Sequence, residues 1–543
     1  ASVGCLHIRP LIALDDPADL ERMVGMATEV ADLVVRHGGA LSGEHGDGFS
    51  RSQWNRKMFG SKLYDAFCQI KQLFDPQGLF NPGRIVHGPP MTDNLRYPPG
   101  YSPVEPTTVM DYSAQAGFLR AIEMCNGSGA CRKTQGGTMC PSFRVTLDEQ
   151  DSPRGRANAL RHALADLGTR ATPGEISRTM RQTWLQDVFD LCVMCKACKS
   201  ECPSNVDVAK LKAEWMQIRY RGRVRPLEHW LVACLPYINR WTAPIAALVN
   251  WIQSRPSTHR LLEAMAGLDR RRNLPRLHAD HFRKWFRRHQ PDPQAGTRGK
   301  VVIMADCFTT YFEPGVGQAA TEVLERAGYE VQLAEFFCCG RTLISKGFLD
   351  KAQNWVKSQV QSLARMAEPG VPILGLEPSC LLTLRDEWPD LLPGEATRRL
   401  AQSAHLADVW LAQQFRDKGL PAIFGPCQDS VLIHGHCHQK ALLGTASTAA
   451  GVSLVEGLKV ETLDSGCCGM AGSFGMEREH YEVSRKMADL SLLPALAAKP
   501  DATVIASGIS CRQQIHDFAG RGALHPMEFL RRHLNAAPSP PTP

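Results

Sequence analysis

The chain has 543 residues, 22% of them charged, with a formal net charge of +7 and 19 cysteines. Compact domains run to about 100–200 residues, so a single core is excluded and three or four domains are expected. Fifteen of the cysteines fall in tight clusters, which excludes the disulfide framework of a small secreted protein and points to metal ligation in a reducing, cytoplasmic compartment.

Gly4-Cys5-Leu6-His7-Ile8 reads as a strand and residues 17–37 as a helix. Neither an initiator Met nor a basic-then-apolar leader precedes that strand, so the chain reads as the C-terminal part of something longer. The turn Ser42-Gly43-Glu44-His45-Gly46-Asp47-Gly48 is the first motif that carries chemistry. Its glycines let the backbone bring an adjacent Glu and His to one point. A lone strand histidine is usually a satisfied core residue, but with this turn His7 and Glu44 suit a divalent metal and His45 a base beside it.

Six prolines between Pro89 and Pro106 close this first part (1–88) with a linker (89–113), because Pro rejects helix interiors and central strands. The next part (114–225) carries Cys192, Cys195, Cys198 and Cys202 at C-x2-C-x2-C-x3-C, followed by Pro203. This is the ferredoxin spacing, in which the fourth Cys usually ligates a second cluster. Upstream stand Cys125, Cys131 and Cys140, the last followed by Pro141, with Ser128 where a middle Cys would fall. One 4Fe-4S cluster is therefore expected on Cys192, Cys195, Cys198 and Cys140. A second, on Cys125, Cys131 and Cys202, lacks a fourth thiolate and suits a 3Fe-4S cluster or a 4Fe-4S cluster with an external ligand. A zinc ribbon is the competing reading for any C-x2-C pair, and a four-Cys run closed by Pro argues against it.

Residues 226–297 read as helices and basic linker. Trp230, Trp241 and Trp251 punctuate an apolar segment with no uncharged run long enough to span a bilayer. It is expected to pack between domains, the alternative being peripheral contact at the inner face of a membrane. Residues 255–300 carry twelve Lys and Arg against four Asp and Glu. No recognition motif accompanies that charge, so a solvated linker helix is expected and no nucleic-acid partner.

From Lys300 short apolar strands (301–304, 329–333, 371–376) alternate with helices (317–327, 342–366), the texture of a parallel sheet. Cys307, Cys338-Cys339 before Gly340, and Cys380 then recur as Cys437, Cys467-Cys468 before Gly469, and Cys511. Three nearly equal offsets signal a duplicated unit, 298–425 and 426–535, ahead of a Pro-rich tail, 536–543. Each cysteine follows a strand, so all should gather at the carboxyl ends of the sheets, where open α/β folds place their sites. Eight cysteines in a repeated pattern read as ligands. Cys5, Cys68, Cys234 and Cys427 read as ordinary buried thiols.

Residues 300–535 resemble the cysteine-rich CCG domain shared by heterodisulfide reductase, the small component of anaerobic glycerol-3-phosphate dehydrogenase, and the glycolate and lactate oxidation proteins. The fuller pattern of that family ends in C-x2-C, whereas Glu377 and Gly508 stand at the first Cys position here. Four thiols per repeat are as compatible with one conventional cluster as with the noncubane double cluster of some relatives.

The ending Phe74-Asp75-Pro76-Gln77-Gly78-Leu79-Phe80-Asn81-Pro82-Gly83-Arg84, with the Glu44-His45 turn, resembles the C-terminal end of the FAD-linked oxidases of the vanillyl-alcohol oxidase class, in the D-lactate and D-2-hydroxyglutarate dehydrogenase group. That resemblance implies His7 and Glu44 as ligands of a divalent metal, zinc. It implies His45 as the base that takes the substrate hydroxyl proton, and Asn81 and Arg84 as flavin-proximal residues. FAD would be bound mostly by a preceding domain. Across its whole length the chain is similar to the long bacterial D-2-hydroxy-acid dehydrogenases, in which electrons pass from FAD through 4Fe-4S clusters to a quinone or protein acceptor. The resulting fold expectation is multidomain α/β: an α+β oxidase end, a helical two-motif ferredoxin domain and two parallel α/β units. The competing function is an electron-transfer module without substrate chemistry of its own.

Overall fold

The computed structural model describes residue 4 and residues 8–335, 338–366, 368, 370–419 and 423–535. The chain divides into two compact units at Pro103/Val104, inside the Pro-rich stretch.

The first unit is helical among its described residues: Pro17–Arg36, Gly48–Ser52 and Asn55–Phe74. The expected strand at residues 4–8 falls largely outside the described residues, and so do Cys5 and His7. Asp16 caps the first helix through Ala18 N, with Pro17 at its first position, the arrangement that satisfies otherwise orphaned N–H groups. Its buried apolar side chains are few, Ala31, Tyr64 and Val86, while Leu63, Ile70, Leu73 and Phe74 stay exposed.

In the second unit, residues 113–219 are short helices and 3-10 turns around the clustered cysteines. Pro153–Ala165 is one of them, started by Ser152, whose hydroxyl accepts from Gly155 N. Beyond them lie two wholly parallel sheets. The strands are β1 Lys300–Met304, β2 Glu330–Leu333, β3 Ile373–Gly375 and β4 Ala404–Leu406, then β5 Ser430–His434, β6 Lys459–Thr462 and β7 Thr503–Ala506. The first sheet runs β2-β1-β3-β4 and the second β6-β5-β7. The duplication in sequence is thus a duplication of strand order, with β4 added at one edge. Central strands β1 and β5 are buried on both faces, which is why they read as continuous apolar runs.

Four expectations are corrected. The helix expected over 342–366 is two, Arg341–Ser345 and Leu349–Met366. Between them Gly347 takes φ +67 against Met216, whose Cβ would lie 2.4 Å from an added methyl, so the break is a docking point for the helix Val208–Arg219 that follows the cysteine loop. The basic stretch is not a solvated helix throughout. Arg272 is 1% exposed and donates to Gly475 O, Gln514 Oε1 and Ser484 Oγ, bracing the linker against the second repeat. The tryptophan segment is not packed away: Trp241 and Trp251 stand 79% and 56% exposed on the helices Leu235–Thr242 and Ala246–Gln253. Cys68, Cys234 and Cys427 are half-buried where full burial was expected. Among the described residues no helix is long and apolar enough to cross a membrane.

Candidate redox and metal centres

In the first unit the Ser42–Gly48 turn runs directly into a helix, and that helix ties it to the 74–84 ending. Asn55 Nδ2 donates to Asp47 Oδ2 at 3.1 Å and to the Ile85 carbonyl at 2.9 Å, while Ser52 Oγ accepts from Ile85 N at 2.9 Å. The Arg84 guanidinium lies 4.7 Å from the centroid of Phe49. Two segments thirty residues apart in sequence therefore share one surface. His45 Nε2 stands 3.9 Å from Glu44 Oε2, beyond hydrogen-bond range, and its ring is exposed. Asn81 is exposed in a left-handed conformation, φ 46. Catalytic zinc sites use about three protein ligands. The described residues supply one carboxylate with a histidine beside it, so they fit part of such a site.

The ferredoxin-type loop is built as a cluster cradle. Cys140, Cys192, Cys195 and Cys198 line one cavity together with Met139, Ser142 and Arg156. Met194 and Lys196, between the thiols, take left-handed φ values of 51 and 64. Left-handed residues of this kind are an ingredient of the backbone nests that receive an anion such as a thiolate-ligated cluster. Burial drives the Cys195 and Cys198 thiols well above their ordinary range, so their ligating form calls for a cation. Arg156, 1% exposed, brings Nη1 to 3.6 Å from Cys140 Sγ, and Lys212 Nζ donates to the Phe189 and Cys192 carbonyls at 2.8 and 2.7 Å. These donors and charges fit an iron–sulfur cluster. Cys131 lies with Cys125 and Cys140 as electrostatic neighbours. Cys202 follows Glu201, whose carboxylate accepts from Thr138 N at 2.7 Å and pairs with Lys133. The loop carrying Cys202 is thus laced to the one carrying Cys131 and Cys140. Ser128 is exposed at the vacated position.

In the CCG repeats each cysteine sits just past a strand, at the start of a helix or in the CC-Gly turn. Cys307 opens the helix Cys307–Tyr311 behind β1 and Cys437 opens Cys437–Leu442 behind β5. Cys380 and Cys511 lie in the first turns of Pro378–Leu391 and Ile509–Ala519. Helix N-termini favour thiolates. The thiols of Cys307, Cys338, Cys339 and Cys380 touch in series, and those of Cys437, Cys467, Cys468 and Cys511 do the same. Hydrogen bonds between neighbours pull down Cys338, by Cys307 and Cys339, in the first quartet; in the second they pull down Cys468, by Cys467 and Cys511, and Cys437, by Cys467. Gly340 N and Gly469 N donate to Cys338 Sγ at 3.4 Å and Cys467 Sγ at 3.5 Å, the same turn in both repeats.

The two positions that depart from C-x2-C meet each other. Glu377, 3% exposed, accepts from Ile509 N at 2.8 Å, and His436 Nε2 stands 3.9 Å from it. At Gly508 an added Cβ would lie 2.3 Å from the His436 ring. One histidine of the second repeat therefore fills the space beside both vacated cysteines, and the carboxyl ends of the two sheets join there. His525 Nε2 closes the same seam on the Leu376 carbonyl at 2.9 Å.

The ferredoxin-type loop is wedged into this assembly. Lys196, 2% exposed, pairs with Asp386 and Glu387 of the first repeat, while Cys437 of the second is an electrostatic neighbour of Cys195. Sequence reasoning did not single out the second repeat's His434, His436 and His438. The signal was present: His434-Gly435-His436-Cys437-His438 aligns with Met304-Ala305-Asp306-Cys307-Phe308.

Residues 1–85 match the family model of the C-terminal domain of FAD linked oxidases. Residues 121–206 match the 4Fe-4S dicluster domain, and residues 301–385 and 431–516 the Cysteine-rich domain. The chain is 29% identical to a D-2-hydroxyglutarate dehydrogenase of Escherichia coli (strain K12), over 97% of this chain and 54% of that protein. It is 28% identical to one component of the anaerobic glycerol-3-phosphate dehydrogenase of the same strain, over 61% of this chain and 83% of that one. Against the glycolate oxidase iron-sulfur subunit of that strain the figures are 22% identity, 77% and 94%. The chain spans about half the length of the D-2-hydroxyglutarate dehydrogenases it matches.

Proposed function

We propose that this chain, an FAD-linked oxidase C-terminal domain followed by a 4Fe-4S dicluster domain and two cysteine-rich domains, is the iron–sulfur portion of a dehydrogenase. The enzyme oxidises a D-2-hydroxy acid, D-2-hydroxyglutarate or D-lactate, to the 2-oxo acid and delivers the electrons to a quinone or protein acceptor. The observation that carries the reading is the position of Cys195 beside Cys437, with Lys196 on the first repeat. A centre on Cys140, Cys192, Cys195 and Cys198 would then stand close to the second repeat's cysteine quartet, to which Met194 is joined through His438.

When bound, FAD accepts the substrate hydride and the clusters carry its electrons singly. The chain's own residues do the rest. Glu44 and His7 would hold a divalent metal, zinc, that orients the substrate hydroxyl, and His45, exposed beside Glu44, would take the hydroxyl proton as general base. Asn81 and Arg84 would meet the flavin, Arg84 being held in place over Phe49. Arg156 and Lys212 place positive charge against the thiolate-rich loop and favour added electrons. We place the protein in the cytoplasm. The exposed Trp241 and Trp251, with Arg240 and Arg255 beside them, would rest at the anionic inner face of a membrane, which vesicle flotation would reveal.

The test is anaerobic mixing of the full-length holoprotein with D-2-hydroxyglutarate and with D-lactate, following flavin and cluster absorbance. The reading requires flavin bleaching by one of them, then cluster reduction. Clusters reducible by dithionite in a protein whose flavin neither hydroxy acid bleaches would instead mark an electron-transfer module.

A further inference from the structure

The two cysteine quartets are alike in sequence spacing, but their surroundings differ at one buried position. Three residues before the first cysteine, at the end of the central strand, the first repeat has Met304 and the second has His434, both buried. Methionine there offers a weak thioether, whereas histidine offers an imidazole nitrogen. A ligand atom of His434 and the Sγ atoms of Cys468 and Cys511 all lie within 4.8 Å of one another. Nδ1 is taken up by Ser465 Oγ at 2.8 Å; Nε2 makes no well-formed hydrogen bond among the described residues although the residue is only 1% exposed, and the ring's other polar contact is the Cys468 thiol. A buried imidazole nitrogen left bare is costly unless something binds it.

We propose that His434 Nε2 is a metal ligand, completing with Cys468 and Cys511 a mixed nitrogen–sulfur site that exists in the second repeat only. The distances are compatible with coordination. Donors bound to one metal atom at about 2.0–2.3 Å can be at most roughly 4.6 Å apart, and the three ligand atoms lie within 4.8 Å of one another. Ser465 has the relation to Nδ1 that an outer partner has to a metal-bound histidine: it occupies the other ring nitrogen and can accept its proton's hydrogen bond when Nε2 is the ligand atom. Lys440 Nζ, 3.2 Å from the same Ser465 hydroxyl, sets a positive charge behind a thiolate-rich site. The assignment also accounts for a missing donor. The C-x2-C ending loses one thiolate at Gly508, and His434 restores a donor beside Cys511. Imidazole with thiolate suits a single zinc-class ion and one iron of a cluster alike, and the ligand is the same in both.

This inference rests on reading the quartets as metal centres, and its readout is independent of substrate turnover. A nitrogen-ligated metal in a protein inert to hydroxy acids would sink the proposed function alone. The full-length holoprotein, its His434→Ala and its His434→Cys variants would be prepared anaerobically. Metal and sulfide per chain, X-ray absorption at the iron and zinc edges, and pulsed EPR of reduced, 15N-histidine-labelled protein would be compared. The wild type should show a nitrogen in the iron first shell at about 2.0–2.1 Å, a histidine nitrogen coupling, or a zinc-edge nitrogen beyond that of the Glu44–His7 site, and both variants should lose it. A nitrogen lost from the zinc edge assigns a lone ion and one lost from the iron edge a cluster; each loss supports the ligand. His434→Ala should lose the metal of one centre. His434→Cys should keep it and, where the metal is cluster iron, show a lowered midpoint potential, because exchanging imidazole for thiolate lowers cluster potentials. If His434→Ala fails to fold, the labelled wild type and His434→Cys still report the ligand. Variants with wild-type metal content, wild-type first-shell nitrogen at both edges and wild-type spectra would overturn the assignment.

Discussion

His438 Nε2 donates to the carbonyl oxygen of Met194 at 3.0 Å, joining the helix that Cys437 opens to the residue that precedes Cys195. The two are separated by 244 residues in sequence, and both are buried. The bond fixes the protonated nitrogen as Nε2, and burial holds the ring well below the usual histidine range, so it stays neutral. Met194 has a left-handed φ of 51, a conformation that costs a non-glycine residue about 1–2 kcal/mol and persists only where its surroundings hold it.

His438→Phe places in the second repeat the residue that the first repeat carries at Phe308. The ring volume is kept and the donor lost, leaving a buried carbonyl unpaired at a cost of about 1–3 kcal/mol. Anaerobic denaturant titration should show that loss, with iron content preserved. Reduction of the second repeat's centre in freeze-quenched EPR should lag behind the wild type. Unchanged stability would mean that water replaces the bond.

His480 makes the assembly sensitive to alkaline pH. Its Nε2 lies 2.9 Å from Asp190 Oδ2, two residues before Cys192, and its Nδ1 2.8 Å from Glu477 Oε2, while Glu477 Oε1 pairs with Lys346 at 2.8 Å; Phe474 stacks on the ring. These carboxylates outweigh burial and push the imidazole up to about 9. A folded value above the unfolded 6.5 or so means the stabilisation is complete below about pH 6.5 and is lost as pH rises through 9. It amounts to about 3 kcal/mol. Unfolding midpoints should therefore fall between pH 6.5 and 9.5 in the wild type, and much less in His480→Gln. Equal slopes in the two proteins would remove His480 from that role.

The two CC-Gly turns differ in tolerance. Gly340 and Gly469 both have positive φ, so alanine costs about 1 kcal/mol at either. At Gly469 the new Cβ would also lie 2.4 Å from the Ser484 carbonyl, whereas at Gly340 it meets only Trp355 at 3.6 Å. Gly469→Ala should thus lose cluster occupancy and several kcal/mol, and Gly340→Ala little beyond the backbone cost. Metal analysis and thermal unfolding of the two variants would check the order.

In the full-length enzyme, His45→Asn should lower the rate of D-2-hydroxy-acid oxidation by about 10²–10⁴ even at saturating substrate, since a general base acts in the chemical step. Flavin content and dithionite-reducible clusters should remain. Cys192→Ala should do the reverse: substrate still bleaches the flavin, and the electrons stop before the final acceptor. Stopped-flow flavin absorbance beside acceptor reduction separates the two. Near-normal turnover in His45→Asn would take the proton-transfer step away from that residue.

What the sequence by itself determined is what short-range spacing can encode. C-x2-C-x2-C sets three thiols within a loop of seven residues, so their joint exposure to one cavity with Cys140 follows from the reach of the chain. The offset near 130 residues likewise forces matching strand order, because like sequences build like sheets. Short apolar runs marked β1, β2 and β3, but three-residue β4 was too short for periodicity to reveal. The tertiary structure alone decided which repeat lies against Cys195, that His436 fills the space at Glu377 and Gly508, that Arg272 is a buried brace, and that Trp241 remains in solvent. Each of these depends on which surfaces, hundreds of residues apart in sequence, exclude water from one another. Local spacing carries no record of that choice; it is made by the packing of whole helices and sheets, whose balance of burial and desolvation no single motif contains.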